Sequence, residues 1–209
     1  MLALVVWLIA CGSSILALVW AYRFYREMMG ADEGNALMQE IAQSVRQGAN
    51  AYLKQQYKWV AIVFVFVALL LAVAAFVLRV QNAFVPIAFL MGGFFSGLCG
   101  WFGMKTATYA SSRTAAGAQR SLNDGLQIAF RSGAVMGLIV VGMGLIYICF
   151  WFALLYWLLP LIDEAYAMSL QQISVAMLSF GMGASAQALF ARVGGGIFTK
   201  AADVGADLV

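Results

Sequence analysis

Apolar residues in this chain come in long runs rather than in alternation, and five of the runs are long enough to cross a bilayer. They cover roughly residues 2–22, 59–78, 84–109, 132–159 and 173–200, the last being apolar to at least Phe190. About 20 apolar residues span the hydrocarbon core. In lipid each backbone amide must pair within its own segment, and no run alternates as a barrel strand does. The predicted fold class is therefore an all-α membrane protein, a polytopic bundle with five transmembrane helices in this chain.

Between the first two runs the period changes. Leu37, Ile41, Val45, Ala49 and Leu53 recur every fourth residue, and Gln39, Glu40, Gln43, Arg46, Gln47, Asn50 and Lys54 fill the other faces. This predicts an amphipathic cytoplasmic helix over about 36–57, continuous with the second span. It can lie on the membrane surface, but glutamines and acids dilute its basic face. Packing against another cytoplasmic helix end is the favoured expectation. Small residues four apart (Gly93 and Gly97, Ser96 and Gly100, Gly133 and Gly137) predict close helix approach. No internal repeat, low-complexity linker or second soluble domain is visible.

Composition turns the pattern into an exclusion. Of the 209 residues 64% are hydrophobic and 10% charged, and the mean hydropathy is +0.90. A soluble domain carries about 25% charged residues, so an ordinary soluble domain is excluded, and so is disorder. Histidine is absent, which removes histidine-based catalysis, haem ligation by histidine and most zinc sites from this chain. Cys11, Cys99 and Cys149 lie in apolar runs without CxxC spacing and read as small buried hydrophobes. Leu8 to Cys11 resembles a lipoprotein cleavage site. No lysine or arginine precedes Arg23, however, and the apolar run continues past Cys11, so the first run reads as a retained span.

Charge orients the spans. Arg23, Arg26, Arg46, Lys54 and Lys58 lie between spans one and two, and Lys105, Arg113, Arg120 and Arg131 surround the connection between three and four. Only Arg79 lies between two and three, none lies between four and five, and Arg192 and Lys200 come late. Cytoplasmic loops carry the basic excess. The expected N-terminus is outside and the C-terminal end of the chain cytoplasmic, with Asp163 and Glu164 in an external turn after Pro160. With no transit peptide, a multi-pass protein of a cell inner membrane is expected.

The candidate chemistry is confined to the last segment, Phe190 to Asp207. At about 100° per residue, Lys200, Asp203 and Asp207 fall within roughly 60° of one another on a helix. Two carboxylates at i and i+4 make a hard-oxygen pair of the kind that holds Mg²⁺ together with phosphate oxygens and water. A lysine one turn earlier offers phosphate a point charge. The competing reading is an ordinary surface pair between Lys200 and Asp203, worth a few tenths of a kcal/mol, and spacing alone leaves the two open. Gly194, Gly195 and Gly196 are not a P-loop, because no Gly-Lys-Ser/Thr follows. Arg192 lies two turns before Lys200, about 12 Å deeper and within about 80° of it. It either faces a bundle interior or snorkels to the headgroups. Ser185 and Gln187 either line the same interior or bond neighbouring helices.

Residues 191–209, Ala-Arg-Val-Gly-Gly-Gly-Ile-Phe-Thr-Lys-Ala-Ala-Asp-Val-Gly-Ala-Asp-Leu-Val, closely resemble the first signature of the membrane-bound, ion-translocating pyrophosphatases. Further similarity lies in Gly48-Ala49-Asn50-Ala51-Tyr52-Leu53 with Gln56-Tyr57, in Gly103-Met104-Lys105 with Ala107-Thr108-Tyr109-Ala110, and in Ala129 to Gly137. The resemblance implies a homodimer in the lipid bilayer that hydrolyses Mg-pyrophosphate at the cytosolic face and exports H⁺ or Na⁺, with no nucleic-acid partner. By the same resemblance Lys200 contacts pyrophosphate, Asp203 and Asp207 hold it through Mg²⁺, and Arg192 lies below it on the ion path. Family members have about three times as many spans, and the aspartate-rich motifs that activate water are missing here. The chain is thus expected to be the N-terminal portion of such an enzyme and inactive alone. A non-enzymatic membrane remnant or scaffold, or a fragment of a secondary transporter, is the alternative. The transported cation and any potassium dependence are not legible in these residues.

Overall fold

In the computed structural model, which describes residues 2–162 and 168–208, the chain is all-helical, with no strand among the described residues. Five helices are long and apolar enough to cross a membrane. They are α1 (Leu2–Met29), α2 (Ala36–Val77), α3 (Val85–Arg120), α4 (Leu122–Ile162) and α5 (Leu170–Asp207). The protein is a multi-pass membrane protein.

Local chemistry explains where the helices begin and how they end. Asn35 accepts the Met38 amide at 2.9 Å and caps α2, while Gly34, at φ 91°, supplies the left-handed residue of the turn before it. Near its far end α2 widens into a π-turn, with the Leu78 amide on the Val73 carbonyl at 3.0 Å. Arg79 follows at φ 53° and turns the chain out of the helix. Ser121 accepts the Asp124 amide at 3.1 Å to start α4. Ser169 opens α5 through a capping box, in which its hydroxyl takes the Gln172 amide and Gln172 takes the Ser169 amide at 2.9 Å.

The helices contribute to two compact units, Met1–Lys54 with Cys99–Leu145 and Gln55–Leu98 with Ile146–Val209. In the first, Met28, Ala110 and Ile128 are buried at the centre with Tyr25, Met29 and Tyr109 packed around them. Leu18 of α1 lies against Gly142 of α4, where a Cβ would meet its side chain at 2.8 Å. The α2 stripe expected to pack is displaced. Ala42, Ala49 and Leu53 are buried, whereas Leu37, Ile41 and Val45 are exposed. The inward face follows Ala42 because Arg46, one turn on, is drawn in by a carboxylate partner described below.

The second unit holds the aromatic core. Tyr147, Trp151 and Leu155 of α4 pack with Ala88 of α3 and with Ile173 and Ala176 of α5. The Tyr147 ring stacks on Phe180 at 3.6 Å between centroids. Phe64 of α2 stacks on Phe89 of α3 at 4.9 Å. Small residues set the spacing of α3 and α5: a Cβ on Gly183 would strike the Phe89 carbonyl, and one on Gly92 the Phe180 carbonyl. Of the expected glycine pairs, Gly93 lies under the Phe64 ring and Gly97 beside Gln187. Gly133 and Gly137 have, among the described residues, no atom of another element within 4 Å of an added Cβ. Cys99 and Cys149 are buried and Cys11 is half-buried. Asp163 and Glu164, placed by charge in an external turn, lie outside the described residues.

Candidate functional site

The candidate site occupies the C-terminal half of α5, which continues as helix through Gly194, Gly195 and Gly196 to Asp207. Glycine is a poor helix former, and here the Thr199 hydroxyl adds a tie, bonding the Gly195 and Gly196 carbonyls at 3.2 and 3.0 Å. Lys200 therefore keeps its helical register to Asp203, and its ammonium lies 3.1 Å from the Asp203 carboxylate. The two side chains are 81% and 63% exposed, so water screens the pair and its contribution to stability is about 0.2–0.5 kcal/mol. Asp207 follows Asp203 by one turn, exposed, with Leu208 closing the helix. Carboxylates at i and i+4 repel. A cation between them would relieve that repulsion, and Lys200 reaches only the first.

Arg192 lies two turns before Lys200 on α5 and is exposed. Among the described residues no carboxylate lies within 4 Å of Arg192 or Lys200 except Asp203 on Lys200. The structure thus brings Lys200 and Asp203 into contact and leaves Asp207 and Arg192 with open side chains on the same helix. No group of three or more Asp, Glu, Cys or His side chains converges among the described residues. Two carboxylates one turn apart suit a hard divalent cation that retains several water ligands, and they are too few to enclose one.

Directly before Arg192, α5 is fastened to its neighbours by polar contacts; the sequence offers Gln187 as lining the interior or bonding neighbouring helices, and assigns Gln56 and Tyr57 no role. The Gln56 amide donates to the Phe190 carbonyl at 2.7 Å, and the Tyr57 hydroxyl donates to the Gly97 carbonyl at 2.6 Å. Gln187 is 4% exposed and its amide lies against Gly97. These bonds join α2, α3 and α5 within one unit and hold the register of the segment that leads to Arg192. Isolated polar residues within or beside apolar spans are the signal, since such groups bond across helices.

The first unit contains a second polar cluster, also absent from the sequence reading. Glu33, in the connection between α1 and α2, forms ion pairs with Arg46 of α2 and, at 3.5 Å, with Arg113 of α3. The Ser112 hydroxyl is 3.4 Å from the same carboxylate. Arg46 lies over the Tyr109 ring at 4.2 Å, and Arg113 donates to the Tyr109 carbonyl at 2.7 Å. Arg113 is only 7% exposed. The cluster clamps the connection onto two helices and presents no open coordination position.

Residues 15–209 match the family model described as inorganic H⁺ pyrophosphatase. The chain is 60% identical over 203 residues to a Bacteroides thetaiotaomicron protein named "Putative K(+)-stimulated pyrophosphate-energized sodium pump", an alignment covering 97% of this chain and 28% of the relative. It is 38% identical to a "K(+)-insensitive pyrophosphate-energized proton pump" of Methanosarcina mazei over 94% of this chain and 26% of that protein. Identity to "K(+)-insensitive pyrophosphate-energized proton pump 2" of Moorella thermoacetica is 42%, over 93% and 26% respectively. The chain spans about a quarter of the length of the curated relatives it matches.

Proposed function

Because this chain belongs to the inorganic H⁺ pyrophosphatase family, we propose that it forms part of a membrane pump. The pump hydrolyses Mg-pyrophosphate at the cytoplasmic face and couples hydrolysis to export of H⁺ or Na⁺. The observation that carries this reading is the uninterrupted helical register that sets Lys200, Asp203 and Asp207 along the exposed end of α5. In this reading Lys200 leaves Asp203 to take a pyrophosphate oxygen. The exchange is inexpensive because the resting pair is solvent-screened. Asp203 and Asp207 would hold Mg²⁺, which when bound would supply positive charge to offset that of the phosphates. Arg192, roughly 12 Å deeper along α5, serves the ion path, where an ionisable group inside a bundle is expected. The pump is a homodimer in a cell inner membrane, with the N-terminus of this chain outside and Asp207 cytoplasmic.

One lysine and two carboxylates do not activate a water nucleophile. This chain alone is therefore proposed not to turn over, and further carboxylates join the site in the working enzyme. The test is Mg-dependent pyrophosphate hydrolysis in membranes by a protein of the relatives' length that contains these residues. Asp203→Ala and Asp207→Ala are each expected to lower the rate at least a hundredfold. Arg192→Ala is expected to reduce ions moved per turnover more than it raises KM. Full hydrolysis in both aspartate variants overturns the site assignment, and ion flux without any pyrophosphate requirement points to a secondary transporter instead.

A further inference from the structure

The first unit contains a half-open groove of about 310 Å³ between α1, α3 and α4, at the small end of the range for ligand pockets. Its two ends differ in chemistry. One is walled by Leu18, Phe102 and Ile139, and the other carries Tyr22, Lys105 and Thr106. Along α1 and α3 the apolar member is the one deeper in the span, so polarity changes along the groove as it does along a lipid.

Aromatic and basic side chains mark the polar end as headgroup level. Lys105 lies over the Trp101 ring at 4.8 Å, and on α1 Arg23, next to Tyr22, lies over Trp20 at 5.1 Å. Tryptophan and tyrosine concentrate at membrane interfaces. Among the described residues neither Lys105 nor Arg23 has a carboxylate within 4 Å, whereas Arg131 is neutralised by Glu27 at 3.3 Å. Two uncompensated cations thus stand where an apolar groove meets the interface. On the side of α1, only 6% of the helix's most apolar stretch is buried within the structure.

We propose that this groove binds an anionic phospholipid, with an acyl chain against Leu18, Phe102 and Ile139 and the headgroup phosphate on the Lys105 ammonium. Basic pockets between transmembrane helices bind such headgroups. A soluble phosphate would satisfy Lys105 but leave the apolar walls uncovered, which is why the occupant is a lipid. The inference is independent of the pyrophosphate reading.

Native mass spectrometry of a protein of the relatives' length that contains these residues, released from mixed phosphatidylglycerol and phosphatidylcholine bilayers, tests it. Each basic residue near an anionic surface contributes about fivefold in affinity. The expected result is at least threefold preferential retention of phosphatidylglycerol. Lys105→Gln and Arg23→Gln, both at exposed positions that leave folding intact, are each expected to lower that preference at least threefold. Ile139→Trp, which fills the apolar end, is expected to displace both lipids. Equal retention of the two lipids, no effect of Lys105→Gln, or displacement by glycerol phosphate lacking acyl chains would each overturn the proposal. So would lipid retained by the monomer but lost from the dimer, which would make the groove an interface between two copies.

Discussion

At the scale of single residues, Glu33 does more for this chain than the charges that first attract notice. One carboxylate, 22% exposed, pairs with two guanidinium groups on different helices, with side-chain exposures of 19% for Arg46 and 9% for Arg113. Removing one partner of a partly buried pair leaves the others desolvated without compensation, which costs more than the pair itself contributes. Glu33→Gln keeps the shape and deletes the charge, and it is expected to destabilise the chain by about 2–3 kcal/mol. That corresponds to a thermal midpoint in detergent lower by roughly 5–10 °C. Asp32→Asn is the control. Asp32 lies 3.9 Å from Arg120 with both side chains at least half exposed, and its loss is expected to move the midpoint by no more than about 2 °C. Equal shifts in the two variants would show that the Glu33 cluster is only a surface charge pair.

At the scale of elements, glycines on one helix have opposite duties. Gly183 abuts the Phe89 backbone, with the carbonyl carbon 2.9 Å from an added Cβ, and backbone cannot yield as a side-chain tip can. Gly183→Ala is expected to cost about 1–3 kcal/mol through overpacking. Gly196 faces open space in this chain, and Gly196→Ala is expected to stabilise by up to about 1 kcal/mol through helix propensity. Thermal midpoints of the two variants moving in the same direction would contradict this account. The contrast also shows what the sequence discloses. Five helices were legible because about 20 consecutive apolar residues have one solution in lipid. The contact between Lys200 and Asp203 was legible because i,i+3 neighbours on a helix must meet. Which glycines touch a neighbour was not, since Gly133 and Gly183 differ only in what lies opposite. The α2 stripe is buried at Ala49 and Leu53 but exposed at Leu37, Ile41 and Val45 for the same reason. Its inward face is decided by Glu33, 13 residues before Arg46 and 79 before Ser112, and no local period encodes partners at that distance.

At the scale of the whole molecule, the distribution of charge ties orientation to chemistry. Glu27, Asp32, Glu33 and Asp124 each have an arginine within 4 Å, so these acids are committed to arginines at the basic ends of α1 to α4. The carboxylates on α5 are Asp203 and Asp207, and the proposed metal–phosphate role is assigned to these two. Pyrophosphate made in the cytosol reaches them only if the end of α5 is cytoplasmic. If α4 and α5 both span the membrane, as proposed, that end and the connection at Ser121 fall on one side, opposite the connection at Ala83. Basic residues crowd the first and are sparse at the second, which carries Arg79, and under the proposed orientation the excess faces the cytoplasm. Single cysteines introduced at Asn123, Ala206 and Ala83, all exposed, read this directly with a membrane-impermeant thiol reagent on intact cells. Ala83→Cys is expected to label at once, and Asn123→Cys and Ala206→Cys only after permeabilisation. The reverse pattern would place Lys200, Asp203 and Asp207 on the outer face, beyond reach of cytosolic substrate, and would remove the pyrophosphate reading however well the helix register fits it.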